Sequence, residues 1–347
     1  PNTKVIMGGA GLTNNLIGVS HYAEALLQTK LIDFYIRGDG ETALYNYLTT
    51  ERTDLPGINQ SAWQELTNED LVKLPPPDYD DYNFEEYSKR KVISVLGSRG
   101  CVRNCTFCDI HAHWTKFSWR SGEHIFEEMK TLNQKYGIRS FLFQDSLING
   151  NMKEYRALMR LIADYNNSVP SDQKLDWSSY FILRPIKQFT EEDWRLTAEG
   201  GARILTIGIE SLSDQARFHL GKKFTNEDID FGLKMARKYG IKFMMLFLTG
   251  YITESEQDVD DACKWWHDHK DYKDVMMVNL GVPLGILKGT PLDEHFEEFG
   301  LQRIGSDDQD WVNPATNNTP SNRVRWHQRL VDLSLIHISE PTRPERI

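Results

Sequence analysis

Between residues 91 and 300 the sequence alternates short apolar runs with amphipathic stretches, and this alternation restricts the fold more than any other feature. Six runs have the length of strands and lie at residues 92–96, 140–144, 175–183, 204–209, 243–248 and 275–280. Residues 123–136 and 153–165 each place apolar side chains on one helical face. A strand–helix repeat of this kind predicts an α/β fold with a parallel sheet under covering helices. Its working end should be the C-terminal edge of the strands.

The ends of several helices can also be predicted. Thr190 and Thr225 each stand before acidic residues, as an N-cap stands before an acidic first turn. Gly137, Gly200 and Gly240 lie where three amphipathic stretches end, and glycine is common just beyond a helix. These residues support the division of the segment into separate helices and strands.

The N-terminal segment has the sequence pattern of a βαβ unit. Residues 4–8 indicate a buried strand that runs into Gly8-Gly9, residues 21–28 a helix, and residues 33–36 a second strand. These are too few elements for an independent domain. The following residues 51–90 are polar and contain a run of three prolines, so they indicate a linker or wrapping segment.

The C-terminal residues have an unusual composition. Residues 333–347 resemble a translated sequencing adapter, so we expect native sequence to stop near Asp332 and leave this tail out of the fold. The predicted divisions are a remnant of a Rossmann-like domain at 1–50, a linker at 51–90, a core at 91–305, the start of a C-terminal region at 306–332, and the tail.

The charge balance argues against a broad electrostatic surface for nucleic acid. The chain has 50 acidic residues against 40 lysines and arginines, for a formal net charge of −10. No apolar run approaches the roughly 20 residues that a membrane-spanning helix needs, and no signal peptide is visible. We therefore expect a cytoplasmic protein without a membrane partner. Because the chain starts at Pro1, we expect its true N-terminus to be missing.

Three of the four cysteines, Cys101, Cys105 and Cys108, fall within eight residues. In a chain without a secretory signal, such clustering is typical of metal binding rather than of a disulfide framework. The loop follows the first strand of the repeat directly, and its spacing is C-x3-C-x2-C. Three thiolates suit three irons of a [4Fe–4S] cubane and leave the fourth iron without a protein ligand, open to a chelating substrate.

Structural zinc is the alternative interpretation of this loop. His111 or His113 could complete a tetrahedral site with three cysteines. The position of the loop at the end of a strand favours the cluster, because zinc knuckles usually pair their ligands across two short loops. The fourth cysteine, Cys263, stands alone in a helical pattern, where we expect a buried small hydrophobic residue.

The cysteine loop resembles that of the radical S-adenosylmethionine superfamily, in which the motif is C-x3-C-x-aromatic-C and Phe107 fills the aromatic position. The resemblance covers roughly residues 5–300 and extends to the branch with an N-terminal cobalamin-binding domain. It implies a partial (β/α)6 barrel, a [4Fe–4S] cluster, S-adenosylmethionine as cofactor, and a reductant such as flavodoxin or ferredoxin. The aromatic Phe107 is then a candidate cofactor contact.

The resemblance implies roles for two carboxylates that stand at the ends of strands. Asp145 ends the second strand, where the family holds the methionyl amino group of the cofactor; a helix-capping role is the alternative. Glu210, in Gly208-Ile-Glu210-Ser211, matches a family motif and should lie within reach of the cofactor. The alternative for Glu210 is a structural ion pair, with Arg184 as a partner, because a buried carboxylate needs one.

Two further residues are candidates for cofactor binding. Arg184 ends the third strand, where the family often carries an arginine, and either binds a carboxylate or pairs with Glu210. Gly250 follows the fifth strand in place of a family Gly-x-Pro-Gly-Glu segment, and could allow the cofactor a close approach. Two residues of that segment differ here, which leaves its backbone shape open.

The N-terminal glycines, in Gly8-Gly9 and in residues 37–41, resemble the second half of a cobalamin-binding domain. The cobalt-ligating motif Asp-x-His-x-x-Gly is absent, and His21 does not fit it. Cobalamin is therefore a cofactor possible for the full-length protein, in which case methyl transfer is the leading reaction. The substrate stays unknown.

The resemblance implies reductive cleavage of S-adenosylmethionine to a 5′-deoxyadenosyl radical that abstracts hydrogen from the substrate. Two alternatives from other classes stay open. One is an iron–sulfur protein that carries electrons without cleaving the cofactor, and the other is a zinc-stabilised binding protein on the same scaffold.

Overall fold

A computed structural model describes residues 3–9, 12, 22–59, 64–86 and 91–338, and all structural statements below concern these residues. The strands, numbered in chain order, are β1 Ile6–Met7, β2 Phe34–Tyr35, β3 Val92–Val95, β4 Ser98–Arg99, β5 Ser118–Trp119, β6 Ser140–Phe143, β7 Asp176–Tyr180, β8 Ala202–Glu210, β9 Lys242–Phe247, β10 Met276–Asn279, β11 Gln302–Arg303 and β12 Trp311–Val312. The α-helices are α1 Tyr22–Gln28, α2 Glu41–Thr50, α3 Asn68–Leu71, α4 Ile110–His113, α5 Gly122–Tyr136, α6 Met152–Ser168, α7 Glu191–Glu199, α8 Asp214–Leu220, α9 Asn226–Tyr239, α10 Glu256–Asp268, α11 Pro291–Glu294 and α12 Pro320–Ile338.

The six predicted strands form one parallel sheet in the order β3-β6-β7-β8-β9-β10, which is also their order in the chain. Strand β8 illustrates why the apolar runs become strands: Leu205, Ile207 and Ile209 alternate along it and are at most 1% exposed. They join one large core that the helices cover. The sheet with its helices confirms the predicted α/β fold and its partial barrel.

The predicted helix boundaries are confirmed. At the start of α9, the Thr225 hydroxyl accepts from the Asp228 backbone N–H, and the Asp228 carboxylate accepts from the Thr225 N–H in return. The Asp193 carboxylate accepts from the backbone N–H of Thr190 before α7. Gly137 and Gly240 end α5 and α9 in the left-handed conformation that favours glycine, and α7 ends at Gly200.

The N-terminal segment contains β1 and β2 in parallel register with α1 between them, as the βαβ pattern predicts. The prediction that the first strand is buried is wrong: Val5 is 46% and Ile6 37% exposed. Within the described residues β1 pairs only with β2, so part of its surface stays open to solvent. His21 lies outside the described residues.

The described part of residues 51–90 wraps against the rest of the chain. Ile58, Leu66 and Leu71 are buried, and the Gln64 carbonyl accepts from the backbone N–H of Asp39 at 2.8 Å. The wrapping alternative of the prediction therefore describes these residues better than a free linker.

Helix α12 packs against α10 at the C-terminal side of the barrel. The Trp326 side chain is 1% exposed and donates to Glu256 Oε2 at 2.6 Å. Arg329 reaches Asp260 Oδ1 at 2.5 Å and also lies 4.0 Å from the Cys263 sulfur. Cys263 is only half-buried, so the prediction of a buried residue is wrong, because the polar side chains of Asp260 and Arg329 lie beside it.

The tail that the sequence sets apart is partly helical here. Helix α12 continues through Ile338, into the segment predicted to be non-native, and residues 339–347 lie outside the described part. The domain boundaries and the cytoplasmic location stay predictions. Among the described helices, none combines the length and apolar character needed to cross a bilayer.

Candidate functional site

The three clustered cysteines line one cavity of about 500 Å³ at the C-terminal edge of the sheet. The strands contribute to its wall where they end or just beyond, through Gln144, Tyr180, Glu210 and Leu246 of β6 to β9. None of the three thiols is in a disulfide. The structure therefore brings the cysteine loop to the edge of the sheet at which parallel α/β proteins bind their ligands.

Contacts of Thr106 fix the cysteine loop to the barrel. Its backbone N–H donates to Leu220 O at 3.1 Å, and its carbonyl accepts from Leu292 N–H at 2.9 Å. The Thr106 hydroxyl lies 2.8 Å from the Tyr251 hydroxyl, which also contacts His219 Nδ1 at 2.7 Å. The loop thus rests on three separate parts of the barrel: α8, α11 and the turn after β9.

Burial opposes ionisation of the three thiols. It raises the pKa of Cys101 and Cys105, and it raises the pKa of Cys108 to about 11. The Lys222 ammonium acts in the opposite direction and lowers the pKa of each thiol. At neutral pH, metal binding to this loop must therefore release thiol protons, as thiolate ligation normally does.

Glu210 is paired with Lys222 and not with Arg184. Lys222 Nζ lies 2.8 Å from Glu210 Oε1 and donates to Gly208 O at 2.6 Å. The sequence suggestion of Arg184 is wrong because its guanidinium donates to the carbonyls of Asn149, at 2.7 Å, and Gly150. Arg184 Nε is buried without a hydrogen-bond partner among the described residues, and burial lowers the pKa of this guanidinium.

Asp145 lies on the wall of the cavity, but its carboxylate is already bonded. Oδ2 accepts from the Gly97 backbone N–H at 2.9 Å, and Oδ1 accepts from the Ser98 hydroxyl at 2.5 Å. Burial raises the pKa of this carboxyl to about 6. In this geometry Asp145 holds the chain between β3 and β4, just before the cysteine loop.

Phe107 lines the cavity beside the thiols, as expected for a cofactor contact, whereas Gly250 is not among the lining residues. Gly250 has a φ of 76°, and a β-carbon there would lie 2.3 Å from Cγ of Arg323. The backbone N–H groups of Gly250 and Tyr251 both donate to Glu254 Oε2 at 2.9 Å, so this carboxylate closes the turn after β9. Burial raises the pKa of Glu254 to about 7.

A second cavity, of about 590 Å³, lies between the N-terminal segment and the barrel. Gln144 and Ser146 line both cavities, so the two adjoin at the end of β6. Gly8 and Gly9 line the second cavity, and a β-carbon at Gly9 would meet no atom within 4 Å. The sequence indicated these glycines only weakly, and nothing in their spacing indicated that they line a cavity beside the end of β6.

Residues 95–265 match the family described as the radical SAM superfamily. The chain belongs to the radical SAM superfamily. An uncharacterised methyltransferase of Pyrococcus horikoshii is 27% identical over 281 residues, which are 76% of this chain and 58% of that protein. Cytidylyl-2-hydroxyethylphosphonate methyltransferase of Streptomyces wedmorensis is 27% identical over 72% of this chain and 48% of its own. This radical SAM chain spans about half the length of these curated relatives.

The structure of TsrM from Kitasatospora setae, a radical S-adenosylmethionine methyltransferase with cobalamin and a [4Fe–4S] cluster bound, has the same fold. It superimposes with a TM-score of 0.67 at 18% identity and covers 98% of this radical SAM chain and 72% of its own. The cobalamin-dependent radical enzyme OxsB with aqua-cobalamin bound has a TM-score of 0.59 at 16% identity over 94% and 48% of the two chains.

The donor set of this radical SAM chain fits an iron–sulfur cubane. Its three free thiols share a cavity, and each would bind a different iron, so they need not converge on one point. In the described ranges, no group of three or more His, Cys, Asp or Glu side chains is arranged to hold a single metal ion. His111 Nε2 contacts Arg103 O at 2.7 Å, and His113 Nε2 lies 3.7 Å from Asp109, so both imidazoles that the zinc alternative needs have other partners.

Proposed function

We propose that this chain is the catalytic core of a radical SAM enzyme that cleaves S-adenosylmethionine reductively and abstracts hydrogen from its substrate. The observation that carries the proposal is one cavity, at the C-terminal edge of a six-stranded parallel sheet, that three free thiols share with Glu210 and Lys222. When bound, a [4Fe–4S] cluster would supply one electron to the sulfonium of S-adenosylmethionine, which yields the 5′-deoxyadenosyl radical.

The chain's own residues would bind and orient the cofactor. Cys101, Cys105 and Cys108 would hold the cluster. Phe107 would supply an apolar surface beside it, and Glu210 a carboxylate that can accept from an ammonium or a hydroxyl group. The enclosing wall would keep water away from a reactive radical.

Three other predicted residues would act by shaping the site. Asp145 would hold the strand end before the cysteine loop and present the edge of its carboxylate to the cofactor. Arg184, which is not among the residues lining the cavity, would fix the loop carbonyls at 149 and 150. Gly250 would make room for Arg323, so that the turn after β9 can close over Glu254.

We further propose cobalamin-dependent methyl transfer as the reaction class. Two curated relatives are named methyltransferases, and both TsrM and OxsB bind cobalamin. The second cavity would fit the flat face of such a ring, because Gly8 and Gly9 leave space and its wall is largely apolar. Its contact with the thiol cavity through Gln144 and Ser146 would place the two cofactors side by side. The electron donor would be a small redox protein such as flavodoxin or ferredoxin.

Binding of the cofactor to the open iron is tested by spectroscopy without turnover. The chain is reconstituted anaerobically with iron and sulfide, reduced, and examined by electron paramagnetic resonance with and without S-adenosylmethionine. We expect a four-iron signal that changes when the cofactor is added, and no such signal in Cys101→Ala. Cys263→Ala, which changes a cysteine outside the cavity, should behave as the parent. An unchanged signal on addition of the cofactor would favour an electron-carrying protein, and stoichiometric zinc would favour a binding protein.

Cobalamin binding needs its own measurement. Hydroxocobalamin is mixed with the chain and the absorption of the protein-bound fraction is recorded after gel filtration. We expect bound corrinoid in the parent and less in Gly9→Leu, which adds a bulky side chain at a residue that lines the second cavity. The absence of bound corrinoid would leave the radical chemistry in place and remove methyl transfer from the proposal.

A further inference from the structure

Lys222 is a largely buried cation that shares the cavity with all three thiols. Its side chain is 15% exposed, and that of its partner Glu210 is 10% exposed. The ammonium donates to Glu210 Oε1 and to Gly208 O, which uses two of its three N–H groups. A charge with so little access to water is poorly screened and acts strongly on its neighbours.

Two glycines fix the position of this lysine. Gly221 ends α8 with a φ of 93°, and a β-carbon there would lie 3.0 Å from Asn104 O and 3.6 Å from the Cys105 Cα. The backbone just before Lys222 is therefore packed against the cysteine loop. At Gly208, a β-carbon would lie 2.5 Å from Lys222 Nζ and 2.2 Å from Glu210 Oε1. The chain thus leaves a fitted space for the ion pair beside the loop.

Both charges of the pair share the cavity with the thiols. Lys222 lines the same cavity as Cys101, Cys105 and Cys108, so its positive charge stabilises negative charge added there. Glu210 lies in the same wall, 2.8 Å from the ammonium, and carries the opposite charge. The carboxylate therefore offsets part of the effect of the lysine.

We propose that Lys222 is a positioning residue for the electron-transfer step: it sets the reduction potential of the cluster that the three cysteines hold, and Glu210 moderates its effect. The proposal rests on the proposed function, because it needs the cluster. In the step, one electron passes from an external reductant of the flavodoxin or ferredoxin class to the oxidised cluster. The reductant is oxidised by one electron, and Lys222 keeps its proton. A fixed positive charge favours the reduced state, which carries one more negative charge.

The test is a potentiometric titration of the reconstituted cluster in the absence of S-adenosylmethionine, with the reduced state counted by electron paramagnetic resonance. We expect Lys222→Met to lower the equilibrium constant for reduction about tenfold, equivalent to about 59 mV for a one-electron couple. Lys222→Arg, which keeps the charge, should restore most of the parent's potential. Glu210→Gln should move the potential in the opposite direction, because it removes the opposing carboxylate.

Lys223→Met is the matched control, because Lys223 is the next residue, carries the same charge and is exposed to solvent. It should leave the potential at the parent's value. A potential for Lys222→Met equal to that of the parent, or a shift equally large in Lys223→Met, would overturn the proposal. If Lys222→Met holds no iron, Glu210→Gln decides, and an unchanged potential there would also overturn it.

This measurement is independent of the test of the proposed function. A chain that binds a cluster but does not respond to S-adenosylmethionine would remove the proposed function, while the titration would still report the effect of Lys222. A responsive cluster whose potential ignores Lys222 would remove only the present inference.

Discussion

A side chain at position 208 would occupy the space that the Lys222 ammonium and the Glu210 carboxylate share. Glu210 itself has a φ of 67°, a conformation that non-glycine residues rarely adopt. Both facts indicate that the chain accepts local restrictions at the end of β8 to keep a buried ion pair beside the cysteine loop. Such restrictions are common where a site has to be held in one geometry.

We predict that Gly208→Ala weakens the fold. The new methyl group has no room beside the ion pair, and overpacking of this kind costs about 1–3 kcal/mol in free energy of unfolding. Gly40→Ala is the control, because a β-carbon there has Ile36 Cγ2 at 3.5 Å as its nearest neighbour. Urea denaturation of the cluster-free chain measures both. A Gly208→Ala chain as stable as the parent would contradict the packing described here.

At the scale of elements, the turn after β9 depends on a carboxylate that burial keeps partly protonated. Glu254 accepts from the backbone N–H groups of Gly250 and Tyr251 and from the Ser211 hydroxyl, and its pKa is raised to about 7. The raised pKa means that the folded chain binds a proton more tightly than the unfolded chain. The turn is therefore stabilised when Glu254 is protonated.

The predicted pH dependence follows from that sign. Between the ordinary pKa of 4.5 and the folded value of about 7, the folded state holds more protons, so the stability contribution of Glu254 falls as the pH rises through this window. The loss could reach about 3 kcal/mol, from about 1.4 kcal/mol for each pKa unit. Urea denaturation of the cluster-free chain at several pH values measures this loss. The free energy of unfolding should fall less steeply with rising pH in Glu254→Gln than in the parent. Parallel curves for the two proteins would refute this account of the turn.

Helix α12 is the element that connects the C-terminal region to the barrel. Trp326 is the buried centre of its contact with α10, so we predict that Trp326→Ala lowers the free energy of unfolding by about 3–5 kcal/mol. Val324 on the same helix is 58% exposed, and Val324→Ala should change the free energy of unfolding by less than about 0.5 kcal/mol. Equal effects in urea denaturation would mean that α12 does not pack on α10 as described.

At the scale of the whole molecule, a buried ion pair joins the N-terminal segment to the barrel. Arg99, two residues before the first cysteine, lies 2.5 Å from Asp39 and also contacts Glu41. The side chains of Arg99 and Asp39 are 9% and 5% exposed. The pair stands at the second cavity, so the proposed cobalamin site and the cysteine loop share one structural support.

We predict that Arg99→Met loosens the N-terminal segment. Removal of Arg99 leaves the buried Asp39 carboxylate without its cation, which costs about 3–5 kcal/mol. Limited proteolysis should then cut residues 51–86 faster than in the parent. Arg52→Met serves as the control, because the Arg52–Asp54 pair is largely exposed and contributes little. Equal cleavage rates in Arg99→Met and the parent would show that the ion pair does not hold the two parts together.

Much of the architecture follows from local patterns. The strand–helix alternation predicts all six strands of the sheet and the ends of α5, α7 and α9, because side-chain periodicity and capping residues act over a few positions. The cysteine loop and Phe107 are likewise readable from their spacing. These features depend on residues close together in the sequence.

The rest depends on residues that are distant in sequence. The prediction that Arg184 pairs with Glu210 is wrong. The sequence offers both Arg184 and Lys222 as cations, and only the position of α8 in the fold decides between them. The second cavity is lined both by glycines of the first 40 residues and by residues that follow β6. The exposure of β1 depends on which strands pair with it, and periodicity does not specify pairing.

The central claim is tested most directly by an assay for 5′-deoxyadenosine. The reconstituted chain is incubated anaerobically with dithionite and S-adenosylmethionine, and the nucleoside is measured by liquid chromatography and mass spectrometry. Our account predicts that the parent and Cys263→Ala form the nucleoside, and that Cys105→Ala forms none. A parent that carries a four-iron cluster yet forms no nucleoside, or a Cys105→Ala chain that forms as much as the parent, would contradict it.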